Sequence, residues 1–432
     1  MARAAYAALL RLAAPAFVLK LWWRGRAEPP YRHAIGERFG RYAGAPASSG
    51  WIWVHAVSLG ETRAASALVM ALRGQRPGLH LLLTHGTATG RAAGAALLRP
   101  GDRQAWLPFD TPGSVARFLE HFHPAIGVLM ETEIWPNLLR AAHRRGIPMV
   151  LANARLSERS ARKAERLQLL FRPVADSLNL VLAQTQEDAE RLRAAGAPRV
   201  EVSGNLKFDV TPDAVQLARG LAWRQIIGRG VVLAASTREG EEAALLWAWR
   251  QLPAPRPLLL IVPRHPQRFD DVAGLIAGSG LGFVRRSAWQ DVPPPDASAA
   301  DVWLGDSIGE MAVYFGCSQV ALLGGSFEPL GGQNLIEAAA CGCPVLMGPH
   351  TFNFTEAAEL ALREGAAQRV TGIDEAVRVA VGIVAASTGA NLHPSTDVSG
   401  AAAPSSARAL AFAARHRGAA LRMAERIDSL IG

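Results

Sequence analysis

From residue 50 onward the chain alternates short apolar runs with amphipathic stretches. The apolar runs 51–55, 79–84, 104–107, 125–130, 148–153, 178–184 and 200–202 read as strands. Helical spacing separates them, most clearly over 62–72, 115–122 and 157–171. A second series follows, at 231–235, 258–262, 282–284, 302–304, 320–323 and 344–347. Nearly continuous apolar strands alternating with helices imply parallel sheets covered on both faces. Two such series predict two doubly wound α/β domains, with a boundary near Val210–Asp213 and ligands expected at the carboxyl ends of the strands. Residues 385–406 are small and polar and read as a flexible insertion, and 407–431 as one final helix.

The N-terminal segment has a different pattern. Residues 4–23 are apolar and end in Trp22 and Trp23, with Arg11 and Lys20 interspersed. The uncharged run between those two cations is eight residues, short of the roughly 20 that span a bilayer. A helix lying in a membrane interface fits this pattern, with the basic flank Arg24, Arg26 and Arg32 toward anionic lipid. The expected division is therefore 1–26 membrane-associating, 27–212 first domain, and 213–432 second domain.

Composition narrows the function. The 432 residues carry 46 Lys and Arg against 37 Asp and Glu, a net charge of +9, which favours anionic partners. No basic-aromatic block accompanies that charge, so nucleic acid is not expected. Three cysteines point to a reducing compartment rather than to a disulfide framework. Three lysines among 43 arginines single out Lys207, in the run GNLKFD that follows the last strand of the first domain.

Candidate chemistry sits at strand ends. The run WIWVHAVSLGE places Ser58, Gly60 and Glu61 where a strand turns into a helix, whose N-terminus is expected to keep Glu61 ionised. Glu61 is either a catalytic carboxylate or a favourable acid in a first helical turn. In METEIWPN, Glu131 and Glu133 follow a strand and, on an extended chain, share a face. Helix capping or a salt bridge would also account for them. In the second domain GGSFEPLGGQNLIEAAAC joins a glycine-rich loop to a helix, an anion site by its free N–H groups, with Glu337 suited to a ribose diol or an orienting arginine. It is neither GxGxxG after a first strand nor a Walker loop, and the chain has no DxD triplet for a metal. Acidic groups in one domain and a phosphate-type site in the other suggest a two-domain transferase.

The blocks HAVSLGE, METEIWPN, ANARLS, GNLKFD, STREGEE, VPRHPQRF, GGQNLIEAAA and GPHTFNF, in this order, resemble the 3-deoxy-D-manno-octulosonate (Kdo) transferases of lipopolysaccharide synthesis over about residues 20–365. The resemblance implies a GT-B glycosyltransferase with two Rossmann-like domains facing across a cleft, on the cytoplasmic face of the inner membrane. Its donor would be CMP-Kdo, its acceptor a lipid A precursor, with anomeric inversion and no metal or other cofactor. By motif, Glu61 is the proton acceptor, and Glu131 and Lys207 support the transition state. CMP would meet Pro263 and Arg264, then Ile308, Gly309 and Glu310, then Asn334, Leu335, Ile336 and Glu337. Arg238 stands where the family pattern has histidine, and 385–406 departs as an insertion. The alternatives are another GT-B enzyme using a UDP-sugar, or a non-catalytic sugar-nucleotide binding protein.

Overall fold

A computed structural model describes residues 2–44, 50–166, 168–388 and 404–431. The chain divides into two compact units, Met1–Asp209 with His416–Gly432, and Val210–Arg415.

The first unit is built on seven parallel strands: β1 Trp51–His55, β2 Leu81–His85, β3 Arg103–Trp106, β4 Pro124–Met130, β5 Met149–Ala154, β6 Leu180–Ala183 and β7 Val200–Val202. Their order is β3-β2-β1-β4-β5-β6-β7. Every residue of β1 is buried, and alternation sends its side chains into two cores. Trp51 and Trp53 join Phe118, Leu129 and Leu151 on one face, while Ile52 and Val54 join Leu68, Leu81 and Val128 on the other. This accounts for the unbroken apolar run in the sequence: both faces are covered. The chain moves outward from β1 to β3, then returns to lay β4 beside β1, so the order reverses between β1 and β4.

The second unit repeats the plan with β8 Val231–Thr237, β9 Leu258–Pro263, β10 Phe283–Arg285, β11 Val302–Leu304, β12 Val320–Leu323, β13 Val345–Met347 and β14 Ala367–Arg369. Its order, β10-β11-β9-β8-β12-β13-β14, reverses between β8 and β12. β14 has no counterpart among the apolar runs; Ala-Gln-Arg at a sheet edge needs little burial and leaves little pattern.

The helix expected over 157–171 is described as Glu158–Arg166 and Gln168–Ala175, with residue 167 outside the described residues. Two expectations are corrected. The final helix is two helices, Ser406–His416 and Ala419–Asp428, broken at Gly418 with φ +89°. The second piece belongs to the first unit rather than closing the second, because Ala419, Met423, Ala424 and Ile427 bury in the core beneath β1 and β4. Of the insertion expected at 385–406, residues 389–403 lie outside the described residues.

The N-terminal helix α1 spans Ala2–Arg24 as one element despite Pro15. Its stretch Ala5–Arg24 is long and apolar enough to cross a membrane by length and composition. Leu12 and Trp23 are 82% and 66% exposed. Phe17 stacks on Phe109 at 5.8 Å and the Tyr6 hydroxyl donates to Asp110 Oδ2 at 3.1 Å, which docks the helix on its own unit.

Candidate active site

The carboxyl ends of β1 and β4, where the first sheet reverses, are where an open α/β sheet binds its ligand. Glu61 lies there, in the first turn of α2, Leu59–Gln75. Ser58 caps that helix: its Oγ accepts from the Glu61 N–H at 3.3 Å and donates to Glu61 Oε1 at 2.8 Å. The Val57 N–H donates to Glu61 Oε2 at 2.8 Å. The S-x-x-E spacing thus forms a capping box, and both Glu61 oxygens are held while each retains a lone pair.

The bonds at the helix terminus act on Glu61 in the expected direction, toward the ionised form, but they are not the strongest influence. Burial lifts its carboxyl above the ordinary range, with the Val57 and Ser58 bonds pulling back and the Glu131 charge adding to the rise. Desolvation outweighs the helix N-terminus here.

Glu131 and Glu133 join Glu61 electrostatically, though not by the geometry an extended chain predicts. Glu131 leaves β4 with φ +58°, a left-handed conformation unusual for a glutamate, while its N–H stays on the Ala152 carbonyl of β5. The two-residue alternation of a strand therefore stops at Met130. Burial, then the charges of Glu61 and Glu131, push the Glu133 carboxyl up to about 7.

The segment is anchored by a residue that sequence reasoning did not select. Asp110, buried after β3, accepts from the Asn137 and Leu138 N–H groups at 3.0 and 2.8 Å and so caps the helix Pro136–Arg144. Burial raises its carboxyl to about 6 against those bonds. Nothing local in Phe-Asp-Thr marks it, since its helix begins 26 residues later.

Lys207 is exposed on the turn Leu206–Phe208. That turn is fixed by the Leu206 N–H on Asn153 Oδ1 at 3.0 Å and the Asn205 amide on Gln184 Oε1 at 2.8 Å, and it packs on α2. Among the described residues no ion pair joins Lys207 to the three carboxylates, so the structure brings Glu61 and Glu131 together and leaves Lys207 one helix packing away.

In the second unit the expected residues gather at the ends of β9, β11 and β12. Pro263 ends β9 and the Arg264 N–H returns to the Thr237 carbonyl of β8 at 3.0 Å. Beyond β11, Ile308 is exposed and Gly309 turns at φ +82°, while Glu310 pairs with Arg286 at 2.8 Å. Asn334 caps Leu335–Ala340, its Oδ1 taking the Ile336 N–H at 3.0 Å. Leu335 and Ile336 are buried, so their side chains pack the core and only backbone remains for a ligand. Burial raises the half-buried Glu337 carboxyl, and the Arg264 charge opposes this.

Glu241 is the second residue that sequence reasoning missed. Buried at the start of its helix, it accepts from Gly325 and Arg238 N–H at 2.9 and 2.8 Å and from Phe327 N–H at 3.2 Å. It thereby folds the glycine-rich loop against β8. A Cβ at Gly324 would lie 2.2 Å from the Ser236 carbonyl oxygen, which only glycine avoids. The paired glutamates of STREGEE were the available signal. Arg238, the departure from the family pattern, pairs with exposed Glu239 at 3.2 Å.

The family model described as 3-deoxy-D-manno-octulosonic-acid transferase (kdotransferase) matches residues 33–210. The chain is 49% identical to the 3-deoxy-D-manno-octulosonic acid transferase of Bordetella pertussis, over 88% of this chain and 91% of that one. It is 36% identical to the transferase of that name from Haemophilus influenzae, over 81% and 83%. Among solved structures, Anabaena HepE in complex with UDP superposes with a TM-score of 0.51 at 14% identity, covering 88% of this chain and 100% of that one. That likeness concerns the GT-B type of fold alone.

Proposed function

The chain belongs to the family of 3-deoxy-D-manno-octulosonic acid (Kdo) transferases, glycosyltransferases of lipopolysaccharide synthesis, and from that premise we propose that it moves Kdo from CMP-Kdo to a phosphorylated lipid A precursor. Glu61 is the base. As the acceptor hydroxyl attacks the anomeric carbon of Kdo, its proton passes to a Glu61 oxygen and the bond to the CMP phosphate breaks on the opposite face, inverting the centre.

The observation that carries this assignment is Glu61 itself: a carboxylate locked by Val57 and Ser58 at the point where the sheet reverses, with its proton affinity raised by burial. A carboxylate whose proton affinity is raised takes a proton more effectively than an ordinary one. Glu131 holds negative charge beside it, and Lys207 offsets charge as the transition state develops. The second unit receives CMP with Arg264, the Ile308–Glu310 turn, Asn334 and Glu337. No step in this scheme is routed through a metal.

Membrane association belongs to the same proposal. α1, with its exposed Leu12 and Trp23 and the cations Lys20, Arg24 and Arg26, suits the cytoplasmic face of the inner membrane, where anionic lipid and the acceptor lie together.

Incubating the purified protein with CMP-Kdo and a lipid A precursor, and weighing the products by mass spectrometry, tests the proposal. Gain of a Kdo residue by the acceptor supports it. Transfer from a UDP-sugar instead, or binding of CMP-Kdo without turnover, would replace it with one of the two alternatives.

A further inference from the structure

A cavity of about 280 Å³ lies in the first unit between α1 and the loop that follows β3. Leu10, Phe17 and Leu21 of α1 line one side, and Leu107 and Phe109 of the loop line the other. A concave space with such walls favours hydrocarbon over water. Lys20 and Arg24 also line it while remaining exposed, so its solvent end is cationic.

Two further residues give the cavity a chemical identity. Val57 is part of its lining, and the Val57 N–H is the donor to Glu61 Oε2 at 2.8 Å. A ligand filling the cavity therefore rests one residue from the proposed base. His55, also in the lining, is completely buried. Its Nδ1 lies 2.9 Å from the Thr84 hydroxyl and 3.1 Å from the Thr84 carbonyl oxygen. Its Nε2 is buried with no partner among the described residues. An unpaired buried ring nitrogen is costly in either tautomer, and the cost is recovered when a hydroxyl, which can donate or accept, arrives. Burial, with the neighbouring His85 and then Arg38, drives the imidazole pKa down to about 3, so His55 meets a ligand as a neutral ring.

We infer that this cavity seats one acyl chain of the lipid acceptor and that His55 Nε2 hydrogen-bonds a hydroxyl carried on that chain, an assignment resting on the function proposed above. The occupant follows from the three features together: apolar walls take the chain, cations at the open end suit a phosphorylated headgroup, and a lone buried ring nitrogen requires a hydrogen-bonding partner within otherwise hydrocarbon surroundings. The exposed apolar side of α1 supplies a route from the bilayer. His55 is then a specificity residue that touches the acceptor's lipid part and stays clear of the reacting atoms.

The test uses the full chain in detergent with two synthetic acceptors. Both carry the same diphosphorylated disaccharide and a photoreactive diazirine at the acyl terminus; one has a hydroxyl on the chain and the other lacks it. Irradiation should crosslink the acyl terminus to peptides containing Leu10, Phe17 or Phe109. The hydroxylated acceptor should show a KM lower by about tenfold, the scale of one buried hydrogen bond. His55→Leu should erase that difference while leaving kcat for the hydroxyl-free acceptor within about threefold, as expected for loss of a binding contact alone. Crosslinks confined to other peptides, or equal KM values for the two acceptors with the wild-type protein, would overturn the inference even if the variant does not fold. Photolabelling needs no turnover: absent Kdo transfer with crosslinks in the cavity would remove the proposed function and keep the lipid site, whereas transfer with crosslinks elsewhere would do the reverse.

Discussion

Ser58 and Glu61 are bound to each other twice: the Ser58 hydroxyl donates to Glu61 Oε1 at 2.8 Å and accepts from the Glu61 N–H at 3.3 Å. The capping of α2 and the placement of the proposed base are therefore one structural feature. A side chain that would otherwise sample several rotamers is fixed by the turn that starts its own helix. An alanine at position 61 would lose the side-chain half of the capping box together with the base, so a test of chemistry needs a variant that keeps both halves.

Glu61→Gln is that variant. Its amide oxygen can still accept from Val57 and its nitrogen can meet Ser58, so the protein should fold and bind CMP as before. Transfer measured in single-turnover experiments should fall by at least about a hundredfold, the scale of general-base assistance. The wild-type rate should decline on acidification through a pKa above the ordinary carboxylate range, because burial raises Glu61. That acid limb should vanish in the variant.

Glu131 and Glu133 should differ in a pH–rate profile. The Glu131 charge raises Glu61, so Glu131→Gln should shift the acid limb to lower pH as well as slow transfer. The Glu133 carboxyl is pushed up to about 7, and its charge is not among those that raise Glu61. Glu133→Gln should therefore leave the acid limb in place and remove only an inflection near neutrality. A limb that moves equally in both variants would show that the two carboxylates act alike.

Asp110 links stability to pH. Its folded pKa, about 6, is raised above the ordinary value of roughly 3.9. Between these values the folded protein binds the proton and the unfolded chain does not, so this group's contribution is present at low pH and lost as pH rises through about 6. Urea titrations across this range should show that slope in the wild type and not in Asp110→Asn. Asp110→Ala removes the cap of Pro136–Arg144 and should cost about 1–2 kcal/mol, the upper range for helix caps.

Donor binding should depend on Glu241 although it is buried beneath the loop. Glu241→Ala leaves the Arg238, Gly325 and Phe327 N–H groups without their acceptor and should weaken CMP binding by about tenfold or more, since each such buried donor is costly unpaired. Glu337→Ala should weaken CMP binding without loosening the loop. Calorimetry with CMP reads both effects, and proteolysis of the loop should separate them.

Attachment through α1 should respond to its exposed face. Leu12→Glu combined with Trp23→Glu should release the protein from anionic vesicles in a sedimentation assay and preserve Tyr6–Asp110 docking, because neither residue is buried in the unit. Unchanged sedimentation would assign attachment to another surface.

The central strands of both sheets were legible because burial on both faces writes an unbroken apolar run, whereas the edge strand β14, Ala367–Arg369, left none. The S-x-x-E cap at Glu61 was equally local: donor, acceptor and helix start lie within four residues. Tertiary structure decided what distant partners control. Glu61's raised proton affinity comes from burial beneath neighbours and from Glu131, 70 residues away, overriding the helix terminus that the local sequence displays. Glu131 takes a left-handed φ because β4 ends beside β5, which no period-two pattern reveals. Asp110 and Glu241 act on backbone groups of segments 27 and 84 residues away, and the helix Ala419–Asp428 returns to the first unit because its apolar face completes a core begun near residue 50. Sequence records local hydrogen bonding and the amount of burial each segment needs; which segments meet to supply them is settled only when the chain closes on itself.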